Sequence, residues 1–426
     1  MRNRSSFVLI LLIAVLFDPY AARAGNEGDE ISKETDKDFV YELDGSLKSS
    51  TLVSHNPGDR VLFPDRWNGT QLLRFRLNLN LELADWADAD FAYEHRAQYF
   101  TSQGAGGGGV LPGFGDGPYR LWQLDWQIAS ADDYFYRHEL DRASVTLRPT
   151  WGRVVLGRQA IGLGRGTLFS AVDMFSTFSP SEVDREWRRG VDAVRLETRL
   201  SDTSSAELIG VFGRSWDDSA LLGRVRGFVG NMDGEIIFGK RAEDLFIAGV
   251  TSATVGDAEV HMELALFDTP ERHPDGGLFG NDHLIGKAVI GSSYTFDIGN
   301  GITVMGEYHY NGFGVEDTSR LNNRLADSDI QERLLRGDFQ TLGQHSVGIQ
   351  SSYIINETFS VGALLLNNIE DGSGLFSPTL NWDLSDRSSL RFSAFLPWGD
   401  EPKRGQLRSE HGASPASFFV QFSTYF

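Results

Sequence analysis

The chain has no cysteine, so it holds neither a disulfide framework nor a thiolate metal site. Lysine is almost missing: six of the 39 basic residues are Lys and the other 33 are Arg. Beyond the N-terminus no apolar run approaches the roughly 20 residues that a membrane-crossing helix needs. Positive charge is in deficit, and a formal net charge of −20 argues against nucleic acid as a partner. The nine histidines are scattered, none in HExxH or another metal-ligand spacing, and His273-Pro274-Asp275 reads as a turn. Mean hydropathy is only −0.26. That value does not exclude a membrane protein, because each strand of a transmembrane barrel gives one face to lipid and keeps the other polar.

The chain starts with MRNR, an apolar run from Phe7 to Phe17, a break at Asp18-Pro19, and Ala22-Arg23-Ala24. This is the layout of a secretory signal peptide with cleavage expected after Ala24. Residues 1–24 are therefore set aside as signal, 25–37 as a short periplasmic lead-in, and 38–426 as one domain. At the other end, Ser417 to Phe426 reads SFFVQFSTYF. A period of two puts Phe418, Val420, Phe422, Thr424 and Phe426 on one face and Gln421 and Ser423 on the other, with Phe419 and Tyr425 as exceptions. A buried last strand of a soluble sandwich fits this segment taken alone. In a closed barrel, lipid takes the aromatic face while neighbouring strands take every backbone polar group. As the last strand, it is also the expected handle for the barrel assembly machinery.

The segments in between decide for the barrel. Across 71–83, Arg74, Arg76, Asn78, Asn80 and Glu82 alternate with Phe75, Leu77, Leu79, Leu81 and Leu83, two sets that a strand separates and a helix would smear. The pattern returns in 191–200, 258–267, 302–310, 376–384 and 389–396. Strands placed on this basis are joined by tight turns at every second connector, as at 84–89, 149–151, 201–204, Asp233-Gly234, 254–256, 298–301, 355–358 and 385–388. The other connectors tend to be long, as at 101–137, 160–189, 268–286, 312–343 and 398–416. The expected fold is all-β: a transmembrane antiparallel β-barrel of about 18 strands, with short periplasmic turns and long extracellular loops in contact with outer-membrane lipid. A different division of 214–243 gives about 16 strands.

With the phenylalanine faces set toward lipid, the opposite faces give a lumen. Early strands contribute Arg74, Arg76, Arg96, Arg142, Arg148, Arg195 and Arg199, with Glu82, Glu94 and Glu197 among them. Later strands contribute Glu259, Glu263, Glu307 and Asp383, with Arg391 as the exception. Sorted this way, the charges set a field across the pore, and Arg keeps its charge and its planar fork in a confined lumen. Two uses follow, ion selection and pairing within the wall, and one group can serve both. The stretch from Gly157 to Arg195 runs through about thirty residues without alternation, a length that is uncommon unless functional. Glycines 162, 164 and 166 allow a tight path, and Asp184-Arg185-Glu186-Trp187-Arg188-Arg189 is too charged for lipid. Residues 160–189 are expected to fold inward as a constriction; the other reading lays them across the barrel mouth.

Gly157-Arg158-Gln159, the glycine-rich run after it and VDMFSTFSPSEVDREWRRGVDAVRLE (172–197) resemble the outer-membrane β-barrels of the alginate-export family and related porin-like proteins. The motif covers about forty residues, and the strand layout extends the likeness over the mature chain. The resemblance implies a monomeric 18-stranded barrel with an electropositive constriction that passes an anionic polysaccharide delivered by periplasmic partners. It makes Arg158, Arg165, Arg185, Arg188, Arg189 and Arg195 candidate pore residues and Asp173, Asp184 and Asp192 their partners.

Other chemistries find little footing. GAGGGG at 104–109 reads as a loop tip, since a phosphate cradle needs a following helix and usually a Lys. No Ser is placed beside His95 or His261 by pattern, so an enzyme is not expected. No cofactor is expected beyond a calcium ion that Glu316, Asp317, Asp327 and Asp329 could hold. The expected function is a passive outer-membrane channel of a Gram-negative bacterium for anionic or sugar-like solutes, with export of a polysaccharide such as alginate as its specific form. The alternatives are a general diffusion porin and a non-conducting surface scaffold.

Overall fold

The computed structural model describes residues 40–101, 109–112 and 117–426. The expected signal (1–24), the lead-in (25–37) and most of the GAGGGG run lie outside the described residues. The first half of the chain forms β1 (Val40–His55), β2 (Trp67–Ala84), β3 (Ala87–Phe100), β4 (Asp125–Ala131), β5 (Tyr134–Leu147), β6 (Gly152–Gln159), β7 (Val191–Ser201), β8 (Ser204–Val211), β9 (Ala220–Val229) and β10 (Met232–Arg241). The second half forms β11 (Asp244–Val255), β12 (Ala258–Asp268), β13 (Gly277–Leu278), β14 (Asn281–Phe296), β15 (Ile302–Asn311), β16 (His345–Ile354), β17 (Phe359–Asn368), β18 (Gly374–Ser385), β19 (Ser388–Trp398) and β20 (Ala416–Tyr425). Two of these, β4 and β13, are flaps paired on β5 and β14. The other eighteen form a closed antiparallel barrel, with β20 pairing back on β1 from Ser46↔Tyr425 to His55↔Ala416. Closure leaves no open sheet edge.

The count settles on 18, not 16. On one rim every connector is two to five residues long, from 85–86 to 386–387. The other rim carries 160–190 and 312–344, although 242–243 is a two-residue turn there too. One expected turn is displaced. Asp233-Gly234 lies inside β10, and the chain reverses at Gly230-Asn231, where Gly230 takes a φ of +63°. The aromatic face of β20 points outward as expected, while Phe419 faces in and is fully buried. Eight of the nine tryptophans are exposed near the two rims, as at Trp67, Trp86, Trp151 and Trp398, in the manner of interfacial girdles. The ninth, Trp187, is inside.

Part of the interior is packed with apolar side chains. Toward the long-loop rim, the inward positions of β8 to β14 include Ile209, Val211, Leu222, Ile237, Phe246, Phe267, Ile285 and Val289, all buried. Against them pack Ile161, Leu163, Leu168, Phe169, Val172 and Met174 from the segment after β6. At this end these strands carry apolar residues on both faces because each face meets something apolar, lipid outside and the loop inside. At about 1.5–3 kcal/mol for each side chain fully buried, the packing ties the loop firmly to the wall.

Candidate functional site

The segment 160–190 enters the barrel and follows its inner wall. Its first arm is held by two carboxylates. Glu263 on β12 accepts the backbone N–H groups of Arg165, Gly166 (2.7 Å) and Ala171 (2.7 Å) and the Ser170 hydroxyl (2.8 Å). Glu307 on β15 accepts those of Thr167 (2.6 Å), Leu168 (2.9 Å) and Phe169 (2.9 Å), and its Oε1 lies 3.1 Å from His261 Nε2. Gly164 makes the close approach feasible: its φ is +86°, and a Cβ there would stand 2.3 Å from Glu263 Oε1. Glu263 and Glu307 are therefore not the free counter-charges across the pore that their positions suggested. They are the anchors of the loop.

The second arm returns past β19, β20, β1 and β2. Val183 O accepts from Arg391 (2.8 Å), and Asp184 accepts from Lys48 Nζ (2.8 Å) and Arg74 (2.8 Å). Glu186 pairs with Lys48 and accepts from the Tyr425 hydroxyl (2.7 Å). The Trp187 ring lies beneath Lys48 (4.2 Å) and Arg76 (5.0 Å). Burial works to raise the Asp184 pKa, but Arg74 and Lys48 outweigh it and hold the carboxyl below its usual range.

Behind this arm the early strands form an arginine wall. Eight cations, Lys48, Arg74, Arg76, Arg96, Arg120, Arg137, Arg142 and Arg189, share six carboxylates, Glu94, Asp125, Glu139, Asp141, Asp184 and Glu186. Among the described residues, most of the wall is therefore paired with itself. A bulge in β5, where the register shifts opposite Ala92 and Tyr93, turns both Asp141 and Arg142 inward. Arg137, Glu139 and Asp141 escaped the sequence reading for that reason, although charges at 137, 139, 141 and 142 on both parities are the mark of a bulge. Arg120 escaped because it arrives from the loop after β3.

The remaining candidates separate by position. Arg76, Arg142 and Arg195 join Arg153, Trp187, Asn78 and Asp90 around a cavity of about 350 Å³. Arg153 also borders a cavity of about 810 Å³ toward the short-turn rim, with Arg165, Arg199, Arg224 and Arg226. Arg195 donates to Glu207 at 2.6 Å, and Arg165 pairs with Asp233. Arg148 sits at the short-turn rim with Asp88. Arg188 pairs with Asp173 and lies over Phe178, and Arg185 spends its guanidinium on the carbonyls of Thr167 (2.8 Å), Ser179 (2.9 Å) and Pro180 (2.6 Å) inside the loop. Arg185 braces the loop instead of facing a solute.

Arg158 and Asp192 require correction. They face each other across β6 and β7 at 2.8 and 3.0 Å, but on the outer parity shared with Leu156 and Leu196. Trp122 N donates to Asp192 at 2.9 Å and Trp122 O accepts from Arg158, so the strap ahead of β4 covers the pair. Neither residue reaches the lumen. The proposed calcium ligands do not converge: Asp327 caps the helix Ser328–Leu335 through Asp329 N (2.9 Å). Among the described residues, no group of three or more His, Cys, Asp or Glu could hold a metal.

No family model and no curated protein sequence matches the chain. Solved structures do. OccAB1 of Acinetobacter baumannii superposes with a TM-score of 0.53 at 8% identity, over 91% of this chain and 96% of that one. OccAB3 of the same organism gives 0.53 at 9% identity, over 91% and 99%. OccK11 (OpdR) of Pseudomonas aeruginosa gives 0.51 at 10% identity, over 91% and 96%. The chain shares the closed antiparallel barrel fold of these structures. The likeness covers the barrel from end to end and carries the architecture, while the residues that line the lumen speak for this chain alone.

Proposed function

We propose that the protein is a passive channel of the outer membrane that admits anionic solutes through the open half of its lumen. One observation carries this reading: two cavities that share Arg153 and lie between Trp187 and the short-turn rim are lined by Arg76, Arg142, Arg165, Arg195, Arg199, Arg224 and Arg226 against Asp44, Asp90, Glu197, Asp202 and Asp233, so arginine is in excess. In a narrow, low-dielectric passage such a row concentrates anions, and multiple weak seats let them leave again. The loop 160–190 narrows the passage from the opposite side. Nothing in this reading calls for bond-making, and the barrel acts as a conduit. The porin fold of the solved neighbours supports it, with the short turns facing the periplasm as in other bacterial barrels.

The test is the reversal potential of the purified protein in a planar bilayer under a potassium chloride gradient. An anion-preferring potential is expected, and a cation-preferring one would sink the proposal. Passage of an anionic polysaccharide rests on the resemblance of 157–197 to the alginate-export barrels. Current block by added oligouronate, with none by a neutral oligosaccharide of equal length, is the result that would favour that substrate over small anions.

A further inference from the structure

The two arms of the inward loop are held by different forces. The first is packed into an apolar wall and tied through its backbone N–H groups to Glu263 and Glu307. The second is held chiefly by charge: Asp184 sits 2.8 Å from both Lys48 and Arg74, and Glu186 adds a contact to Lys48. Lys48 and Arg74 are almost fully buried, at 2% and 3% exposure, and they belong to the same cationic wall whose charge an anionic solute would follow.

We propose that Asp184 and Glu186 are a built-in ligand of this wall. The loop fills the Lys48–Arg74 seat with its own carboxylates, and a small anion entering the lumen opens the second arm by taking their place. This rests on the anion-channel reading above and adds its regulation.

The physical argument is one of exchange. Lifting the arm with nothing in its place would leave the buried Lys48 without a carboxylate and Arg74 with Glu94 alone, which is costly. Exchanging one anion for another keeps them paired, so the opened fraction grows with anion supply. Of the other contacts of the arm, Glu186 is 36% exposed in its side chain and the Tyr425 hydroxyl can turn to water, while the Arg391 bond to Val183 O and the carbonyl bonds of Arg185 remain to limit how far the arm moves. The first arm has no such route. Its anchors accept N–H groups in a dry sector, where a passing anion offers the backbone nothing in return. An incoming anion therefore moves residues around 182–187 and leaves those around 163–171 in place.

The absence of native cysteine allows a direct test. Single cysteines at Val183→Cys and Ala171→Cys, in protein reconstituted into liposomes, would be labelled with a maleimide in sucrose and in potassium acetate. About 0.5 M acetate should raise the labelling rate at position 183 by about threefold or more, because it both supplies a competing anion and shortens the range of the latch. Position 171 should not respond. In a D184N/E186Q background, position 183 should be fast without acetate, and single-channel conductance at low salt should exceed wild type, with the gap closing as salt rises. Equal labelling at 183 with and without acetate would overturn the latch, whatever the double variant does. If that result came with an anion-preferring reversal potential, the channel reading would survive alone. Labelling that responds to acetate in a barrel without anion preference would instead retire the channel reading and keep the latch. Should the double variant fail to fold, the acetate response at 183 in the otherwise native chain still decides.

Discussion

The two halves of the lumen invert each other's chemistry. Toward the long-loop rim of β8 to β15 the inner wall is largely apolar, and Glu263 and Glu307 in it are consumed by a loop backbone. Along β1 to β7 the inner wall is charged, and its arginines stand against carboxylates with cavities left between them. The same loop touches both. A carboxylate in a dry sector becomes a fixed structural anchor, because water cannot replace it. A carboxylate in the wet sector remains exchangeable.

The sharpest way to break this contrast is to remove the dry anchors. The double variant Glu263→Ala, Glu307→Ala strands six backbone N–H groups. At about 1–3 kcal/mol for each buried group left unpaired, the first arm should detach. Single-channel conductance should rise severalfold, with loss of ion preference; unchanged conductance would show that the loop does not set the bore.

Next in size is Arg158→Ala. It leaves Asp192 as a buried unpaired charge, so barrel stability should fall by about 3–5 kcal/mol in urea unfolding from lipid vesicles. The reversal potential should not move, since the pair lies on the outer face; a shift would return both residues to the pore. Arg76→Gln with Arg142→Gln acts on the wet half alone. The ratio of anion to cation permeability should fall by about two- to fivefold with conductance nearly kept, as expected for lost focusing.

The smallest effect is a pH response. Burial pushes the Glu182 carboxyl up to about 7, against the pull of the Ser179 N–H and Arg185. Below that pH the group is protonated and neutral; raising the pH through it adds a negative charge beside Arg185. Anion preference should therefore be greater at pH 6 than at pH 8, and Glu182→Gln should flatten the profile at its acid-side value. A profile unchanged by the substitution would assign the titration elsewhere.

Much of the barrel was legible in the chain. Strict alternation in β2 and the parity of short and long connectors required no tertiary knowledge, because lipid and water sort side chains with a period of two. The inward loop was legible as well, from its length and from a charge cluster that lipid would refuse. The misplaced turn in β10 shows the limit: Gly234 looks like a turn residue, yet it lies within a strand, and Gly230 bends the chain four residues earlier. Parity alone would have put Asp192 outside, since Arg195 and Arg199 on the same strand face in. The resemblance in the motif, and not the alternation, had drawn Arg158 and Asp192 into the pore.

The anchors were not legible for a different reason. Glu263 and Glu307 find partners in backbone N–H groups about a hundred residues away or more, and a backbone has no side-chain signature to match. The chain by itself therefore determined a closed cylinder and the surface given to lipid, because those depend on local alternation and turn length, while the choice of 18 crossings over 16 came from the folded barrel. Only the folded barrel decided which half of the interior stays wet and which carboxylates can let go, because desolvation depends on what packs opposite, and that is set across the lumen.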